Sequence, residues 1–327
     1  MRAVVIREPG DASVLELADV EDARAGAGEV VIEVAAAGVN RADVSQRQGF
    51  YPPPPGVPAW PGLEVSGTVV ELGEGVAASG TPFALGDRVC ALLGGGGYAE
   101  RVAVPAGQVL ALPDGIGLVE AAALPEVVAT VWSNVFLLAG LAAGETLLVH
   151  GGSSGIGTMA VQLGRAFGAR VAVTASSAAK LEACRELGAE ILIDYTTEDF
   201  VERVRAATGG ADVILDVVGG DYLERNVRAL AVEGRIANIA SMGGRTASID
   251  LGALMMKRGT LRSTSLRARP PAEKAALMAS VGENVWPLLA DGAVRPVVGA
   301  TFPLDQAPAA HRLMESSAHI GKILLLP

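Results

Sequence analysis

The sequence predicts an α/β protein, a doubly wound parallel sheet inserted into a β-rich domain, and three observations carry that expectation. Thr146-Leu147-Leu148-Val149-His150 is a short apolar, β-prone run that passes through a glycine-dense turn, Gly151 to Gly157, into a helical pattern bearing Met159, Val161, Leu163 and Phe167. Strand-like and helix-like segments then alternate as far as Thr264, the rhythm of a parallel sheet covered by helices. The residues before Ala121, by contrast, read as short strands between Pro and Gly turns.

In chain order, the β-rich part has expected strands at Ala3 to Ile6, Val30 to Ala37, Gly67 to Leu72, Asp87 to Leu92 and Tyr98 to Val104. Turns at Glu8-Pro9-Gly10, Pro52 to Pro55 and Gly94 to Gly97 punctuate them. One helix is expected there, Arg41 to Arg47, with Asn40 at its N-cap, where a side-chain oxygen can accept from a first-turn amide. A helical region then runs to about Leu138. The parallel sheet follows, with strands at Thr146 to His150, Arg170 to Thr174, Glu190 to Asp194, Asp212 to Asp216, Arg235 to Ile239 and Thr260 to Thr264. Its later helices are expected at Ala178 to Leu187, Glu198 to Ala207 and Tyr222 to Ala231. From Arg267 the pattern alters to a helix Ala272 to Leu289, a strand Arg295 to Phe302, a helix Leu304 to Met314 and a strand Lys322 to Leu326. This tail is too small to bury a core alone and is expected to fold back on the β-rich part. The expected domains are residues 1–124 with 266–327, and residues 125–265.

Composition narrows the function. The chain has 327 residues, 50% hydrophobic and 19% charged, which fits two globular domains. A net charge of −10 and a pI near 4.9 argue against nucleic acid and anionic membrane as partners, because both need basic patches set against phosphate. The most apolar region, Gly117 to Gly144, is interrupted by Glu120, Pro125, Glu126 and Asn134 and does not read as a membrane span. Met1 to Ile6 runs into a strand without a signal-peptide pattern, so a cytoplasmic location is expected. Cys90 and Cys184 cannot build a disulfide framework.

The glycine turn admits three readings. As Gly152-x-x-Gly155-x-Gly157 it lets backbone approach a pyrophosphate at a helix N-terminus. As Gly151-x-Ser153-x-Gly155 it imitates a hydrolase nucleophile elbow, and as a bare turn it binds nothing. The elbow has formal partners in Asp194 or Asp216 and in His311 or His319, but it leaves Gly157 unexplained. A Tyr-x-x-x-Lys pair of the short-chain dehydrogenase kind is absent. Metal chemistry has little to work with: His150, His311 and His319 are the only histidines and none forms an i,i+4 pair. Asp43 and Glu64 stand as possible site acids.

At the end of the second sheet strand an NAD site places an acid against the ribose 2′-hydroxyl. Here the run is Val173-Thr174-Ala175-Ser176-Ser177-Ala178-Ala179-Lys180. Ser176 and Lys180 offer donors and positive charge to a 2′-phosphate instead, with Tyr195 after the third strand able to pack on it, so NADPH is the expected cofactor.

Several segments together resemble a known family: Ala37-Gly38-Val39-Asn40-Arg41-Ala42-Asp43, Gln46-Arg47-Gln48-Gly49, Pro61-Gly62-Leu63-Glu64-Val65, Gly86-Asp87-Arg88-Val89, His150 to Gly157, Asp216-Val217-Val218-Gly219-Gly220 and Ile320-Gly321-Lys322-Ile323. The chain resembles the zinc-free quinone oxidoreductase branch of the medium-chain dehydrogenase/reductase superfamily, which is zeta-crystallin-like, and within it the tumour-suppressor-inducible quinone oxidoreductase subgroup. The resemblance implies a Rossmann domain with a GroES-like catalytic domain, a homodimer, and an NADPH-dependent reduction of quinones without metal. Asn40 and Leu63 stand where zinc members carry ligands. By the same resemblance Asn40 and Tyr51 face the acceptor, while Thr130, Gly155, Ile156, Ser176, Lys180, Tyr195, Ser241, Met242 and Leu266 surround NADPH, joined by Gly152 and Gly157 of the turn. Departures are Val217 and His319, the latter where the subgroup often has Asn. The alternatives are an enone or enoyl reductase on the same scaffold, or a non-enzymatic NADPH-binding sensor or structural protein.

Overall fold

A computed structural model describes residues 1–76 and 83–327. The chain forms two compact units, Met1–Ala129 with Leu266–Pro327, and Thr130–Ser265.

The first unit opens with strands β1 (Arg2–Ile6), β2 (Leu15–Asp19) and β3 (Glu29–Val39), helix α1 (Arg41–Arg47), strands β4 (Glu64–Leu72), β5 (Arg88–Leu92), β6 (Arg101–Pro105) and β7 (Val109–Ala111), and helix α2 (Pro125–Val131), which crosses the division between the units. The second unit continues with β8 (Thr146–His150), α3 (Gly155–Ala166), β9 (Arg170–Ala175), α4 (Ala178–Leu187), β10 (Ile191–Asp194), α5 (Phe200–Thr208), β11 (Ala211–Asp216), α6 (Tyr222–Ala229), β12 (Leu230–Asn238), α7 (Leu251–Met256) and β13 (Thr260–Ser263). The chain then returns to the first unit through α8 (Pro271–Asn284), α9 (Trp286–Ala290), β14 (Val298–Pro303), α10 (Ala307–Ser316) and β15 (Lys322–Leu326).

In the second unit six strands lie in the order β10-β9-β8-β11-β12-β13, and every neighbouring pair is parallel. The order reverses beside β8, so the carboxyl end of β8 is the switch point at which such sheets receive ligands. All five residues of β8 are buried. A parallel strand covered on both faces has no solvent side, which is why Thr146–His150 shows no polar alternation.

In the first unit the sheet order is β14-β15-β3-β4-β5-β7, with β6 also pairing β3. Its core includes Val30, Ile32, Val34, Val65, Val89, Val102 and Ile323. The register decides the site. Val39 pairs Ile323 antiparallel and Ala37 pairs Val65, so the end of β3 and the starts of β4 and β15 meet. Asn40, Glu64 and Lys322 arrive at one point from distant parts of the sequence.

The helices Arg41–Arg47 and Ala178–Leu187 and the strand Lys322–Leu326 have the expected bounds. Other elements differ for identifiable reasons. The helix expected over Ala272 to Leu289 divides at Val285, where Pro287 follows and cannot supply an interior amide. Strand β12 starts at Leu230, five residues earlier than expected, and so ends α6 at Ala229; tertiary pairing with β11 overrides the helical periodicity. Strands β2 and β7 and helix α7 were not expected; α7 has no buried residue, so it lacks the apolar stripe by which a helix is recognised. The apolar stretch Glu120–Leu138, helical apart from a bend at Leu124, is long and apolar enough to cross a membrane, but most of it is buried inside the protein. Its last part, Trp132–Leu138, is a π-helix.

Candidate functional site

The phosphate turn of the second unit is built by caps and by missing side chains. Ser154 caps α3: its Oγ accepts from Gly157 N–H at 3.0 Å and donates to Gly151 O at 2.8 Å. Gly151 lies at φ +69, in the left-handed region that favours glycine. A Cβ on Gly157 would stand 2.3 Å from Gly151 O, and one on Gly152 would stand 2.6 Å from Val173 Cβ. Both positions therefore exclude any larger residue, and the turn leads into a helix N-terminus, the kind of end at which backbone amides take an anion. Ile156 is half-buried and Ser153 buried.

Behind the turn, His150 is buried edge-on against the stacked rings of Phe200 and Tyr222. Asn226 Oδ1 lies 2.7 Å from His150 Nε2 and can only accept, which places the imidazole hydrogen on Nε2. Nδ1 then faces the Thr174 hydroxyl at 3.1 Å, and the same hydroxyl oxygen accepts from Gly151 N–H at 3.3 Å. Burial pushes the His150 pKa down, so the ring is neutral and acts as a brace between α6 and the start of the turn.

At the end of β9, Ser177 caps α4, and Lys180 Nζ donates to Ser176 Oγ at 3.3 Å. Tyr195 follows β10 with an exposed ring. Ser241 and Met242 are exposed beyond β12, whereas Thr130 is buried and its carbonyl accepts from Asn134 Nδ2 at 2.9 Å.

The first unit carries a dense buried polar cluster. Lys322 Nζ donates to Val39 O at 2.9 Å and Asn40 Oδ1 at 2.7 Å and pairs with Glu64 Oε1 at 2.6 Å. Asn40 Nδ2 donates to the same Glu64 oxygen at 2.9 Å, and Glu64 Oε2 accepts from Glu126 N–H at 2.9 Å. The Asn40 amide is thus held with its oxygen on a cation and its nitrogen on an anion. Gly38 permits the approach, since a Cβ there would meet Glu64 Oε1 at 2.4 Å. Asp43 accepts from Asn40 N–H at 2.8 Å and from Gly62 N–H at 2.9 Å, tying α1 to the chain entering β4. Burial raises the Asp43 pKa to about 6 against the opposing pull of those amides. Burial, with Glu64 adding its charge, raises Glu126 to about 8.

A second chain of contacts holds α1 from behind. Arg47 pairs with Glu315 at 2.6 Å and reaches His311 Nδ1 at 3.5 Å, and His311 Nε2 lies 3.1 Å from Tyr98 Oη. Burial and the Arg47 charge hold His311 down at about 3, so it serves as a neutral link. Arg267 fixes the loop that carries Tyr51, donating to Tyr51 O at 2.9 Å, Gln46 Oε1 at 2.7 Å and Gly94 O at 2.6 Å. Its guanidinium lies 5.2 Å from the centre of the half-buried Tyr51 ring. Leu266 is buried beside it in sequence.

Asp43 and Glu64 are therefore fully buried, not solvated at a turn or helix end, and His311 is a core residue. Lys322, Glu126, Lys274 and Arg267 had not been singled out as site residues. For Lys322 a signal was present, a lone charge opening an otherwise apolar strand, Lys322-Ile-Leu-Leu-Leu. For Lys274, in the Ala-rich α8, none was.

Family models match both parts of the chain: the alcohol dehydrogenase GroES-like domain over residues 26–114 and the zinc-binding dehydrogenase over residues 155–281. The chain is 31% identical to the quinone oxidoreductase of Rattus norvegicus over 100% of its own length and 98% of the rat protein. It is similar to the crystal structure of the quinone oxidoreductase from Thermus thermophilus, solved also as a complex with NADPH, at 35% identity and a TM-score of 0.85 over 100% of both chains. A further relative, the phthioceranic/hydroxyphthioceranic acid synthase of Mycobacterium tuberculosis, is 32% identical along 98% of this chain, which spans only 15% of that protein.

A zinc ion does not fit these residues. Both Glu64 oxygens and both Asp43 oxygens already accept from Lys322, Asn40 or backbone amides, and the Lys322 ammonium occupies the position facing Glu64. Among the described residues no three His, Cys, Asp or Glu side chains form a metal-holding group. NADPH does fit, because Gly152 and Gly157 let the turn pack tightly on β9 and on itself as it leads into the α3 N-terminus, and no carboxylate stands at Ser176.

Proposed function

The chain belongs to the zinc-independent quinone oxidoreductase branch of the medium-chain dehydrogenase/reductase superfamily, and from that premise we propose that it reduces quinones at the expense of NADPH. Bound NADPH supplies a hydride. The rest is the work of the chain's own residues. The amides at the start of α3 receive the pyrophosphate, and Ser176 and Lys180 bind the 2′-phosphate with Tyr195 packed against it. Thr130, Ile156, Ser241, Met242 and Leu266 enclose the remainder of the dinucleotide. Asn40 and Tyr51 contact the acceptor: Tyr51 offers a hydroxyl to a quinone oxygen and an aromatic face to its ring, and Asn40 presents an amide whose orientation the Lys322–Glu64 pair sets.

The observation that carries the cofactor choice is the pairing of Lys180 Nζ with Ser176 Oγ where an NAD site needs an acid. Its test is consumption of NADPH and NADH by purified protein against a panel of quinones. A second reading, reduction of an enone or enoyl thioester, is supported by the match along 98% of the chain to a segment of an acid synthase. Alkenals and enoyl thioesters assayed beside the quinones separate the two.

The proposal extends to a cytoplasmic homodimer joined at the β13 edge. Among the described residues strand β13 pairs on one side only, and Leu251, Met255 and Met256 on the neighbouring α7 are 68%, 74% and 79% exposed. An open strand edge beside large apolar side chains is a surface for a second copy. Sedimentation of wild type against Met255→Glu with Met256→Glu tests it; a wild-type monomer contradicts it.

A further inference from the structure

Two of the four lysines in the sequence are buried in the first unit, and they are satisfied in opposite ways. Lys322 uses all three ammonium hydrogens on Val39 O, Asn40 Oδ1 and Glu64 Oε1. Lys274, on α8, is only 6% exposed, yet among the described residues its ammonium makes no hydrogen bond and no ion pair. The stem of Lys274 is buried while its ammonium is given no protein acceptor, which leaves the tip available to an outside one.

A second cation, Arg267, lies near Lys274. A Cβ at Gly94 would lie 3.7 Å from Lys274 Nζ, and a Cβ at Gly95 would lie 3.2 Å from Arg267 Nη2. Both cations thus face side-chain-free backbone in the Gly94 to Gly97 run. The hydrogen bonds of Arg267 go to neutral oxygens, Gly94 O, Tyr51 O and Gln46 Oε1, and the acids that attract it, Asp43 and Glu126, make no ion pair with it among the described residues. Arg267 also lies against the Tyr51 ring. The acid Glu126 is close enough to attract the Lys274 ammonium but forms no ion pair with it among the described residues.

We propose that Lys274 is an acceptor-binding residue that takes an anionic oxygen, a carboxylate or ionised hydroxyl, carried on the ring of an electron-poor acceptor. The inference rests on the quinone-reducing reading and names its substrate class: acidic acceptors in preference to neutral ones. Arg267 adds positive potential and holds Tyr51 against the same ring. A protein of net charge −10 otherwise repels such a ligand, so the local pair of cations supplies the selectivity.

The test compares Lys274→Met and Lys274→Arg with wild type, using ionised 2-hydroxy-1,4-naphthoquinone and neutral 1,4-naphthoquinone as acceptors. Dividing each variant's kcat/KM by the wild-type value for the same quinone cancels the difference in reduction potential. Lys274→Met should lose roughly tenfold or more with the hydroxyquinone, the scale of one charge-assisted hydrogen bond, and stay within about twofold on 1,4-naphthoquinone. Lys274→Arg should recover most of the loss. Calorimetric titration of 2-naphthoate and 2-naphthamide gives a turnover-free readout in which only naphthoate weakens in Lys274→Met. Equal losses for charged and neutral ligands, no loss at all, or failure of wild type to bind naphthoate would overturn the proposal. Absence of NADPH consumption with either quinone would instead sink the enzymatic reading, while the naphthoate titration still decides the site.

Discussion

In the unit formed by Thr130–Ser265 the phosphate turn lies within one continuous stretch, from Thr146 to Gly157, whereas in the other unit Asn40, Glu64, Glu126 and Lys322 reach one point from the end of β3, the start of β4, the start of α2 and the start of β15. The first site is a property of local backbone: glycines where a Cβ collides, a serine where a cap is needed. The second is a property of register, since sliding β15 by one residue would turn Lys322 to the opposite face. The contrast teaches that the turn is set by its own backbone and its immediate neighbours in β9 and α6, and that the buried cluster exists only when the whole unit is assembled. Substitutions in the two places should therefore fail differently.

The largest effect is expected from Lys322→Met. Removing one member of a buried ion pair leaves Glu64 charged and unpaired, and such losses run to about 3–5 kcal/mol. Urea denaturation should show it, and the companion change Glu64→Leu should recover much of the stability but none of the orientation of Asn40. Gly157→Ala comes next, because its methyl would stand 2.3 Å from Gly151 O. Overpacking of that kind costs about 1–3 kcal/mol, and NADPH titration should show binding lost while the Asn40 cluster in the other unit is unaffected. Lys180→Ala should cost about 1.4 kcal/mol, a tenfold loss, in NADPH affinity and leave NADH affinity unchanged; equal weakening of both cofactors would remove the phosphate role.

A pH dependence is a further expected effect. The folded-state pKa of Glu126 stands at about 8 against an ordinary 4.5. The folded protein therefore holds this proton more tightly than the unfolded chain does, so the contribution is fully present below about pH 4.5 and is lost as pH rises through 8. Thermal melting of Glu126→Gln between pH 5 and 8 should accordingly fall less steeply with pH than that of wild type. An unchanged slope would mean that Glu126 is ionised in the folded protein.

The same contrast explains how much was legible in the sequence. Period and punctuation were enough for the six parallel strands, for Ser176 and Lys180 at the end of β9, and for α4, because each depends on neighbours a few residues away. The split of α8 from α9 was signalled by Pro287 and missed inside a long helical pattern. Asn40 was placed at the head of α1, but its partners were not, since Lys322 lies far along the chain and only the β3–β15 register brings it near. Asp43 and Glu64 look like ordinary turn acids in sequence, and only their burial shows them to be ligands for backbone amides and for a lysine. Lys274 is unreadable without the structure: what distinguishes it is an ammonium without a partner among the described residues.

This chain moves reducing equivalents from NADPH to a quinone. That transfer is followed directly by the 340 nm absorbance of NADPH and of NADH in parallel with 1,4-naphthoquinone and the purified protein. Quinone-dependent oxidation of NADPH should exceed that of NADH. Consumption of neither cofactor, or a preference for NADH, would contradict it.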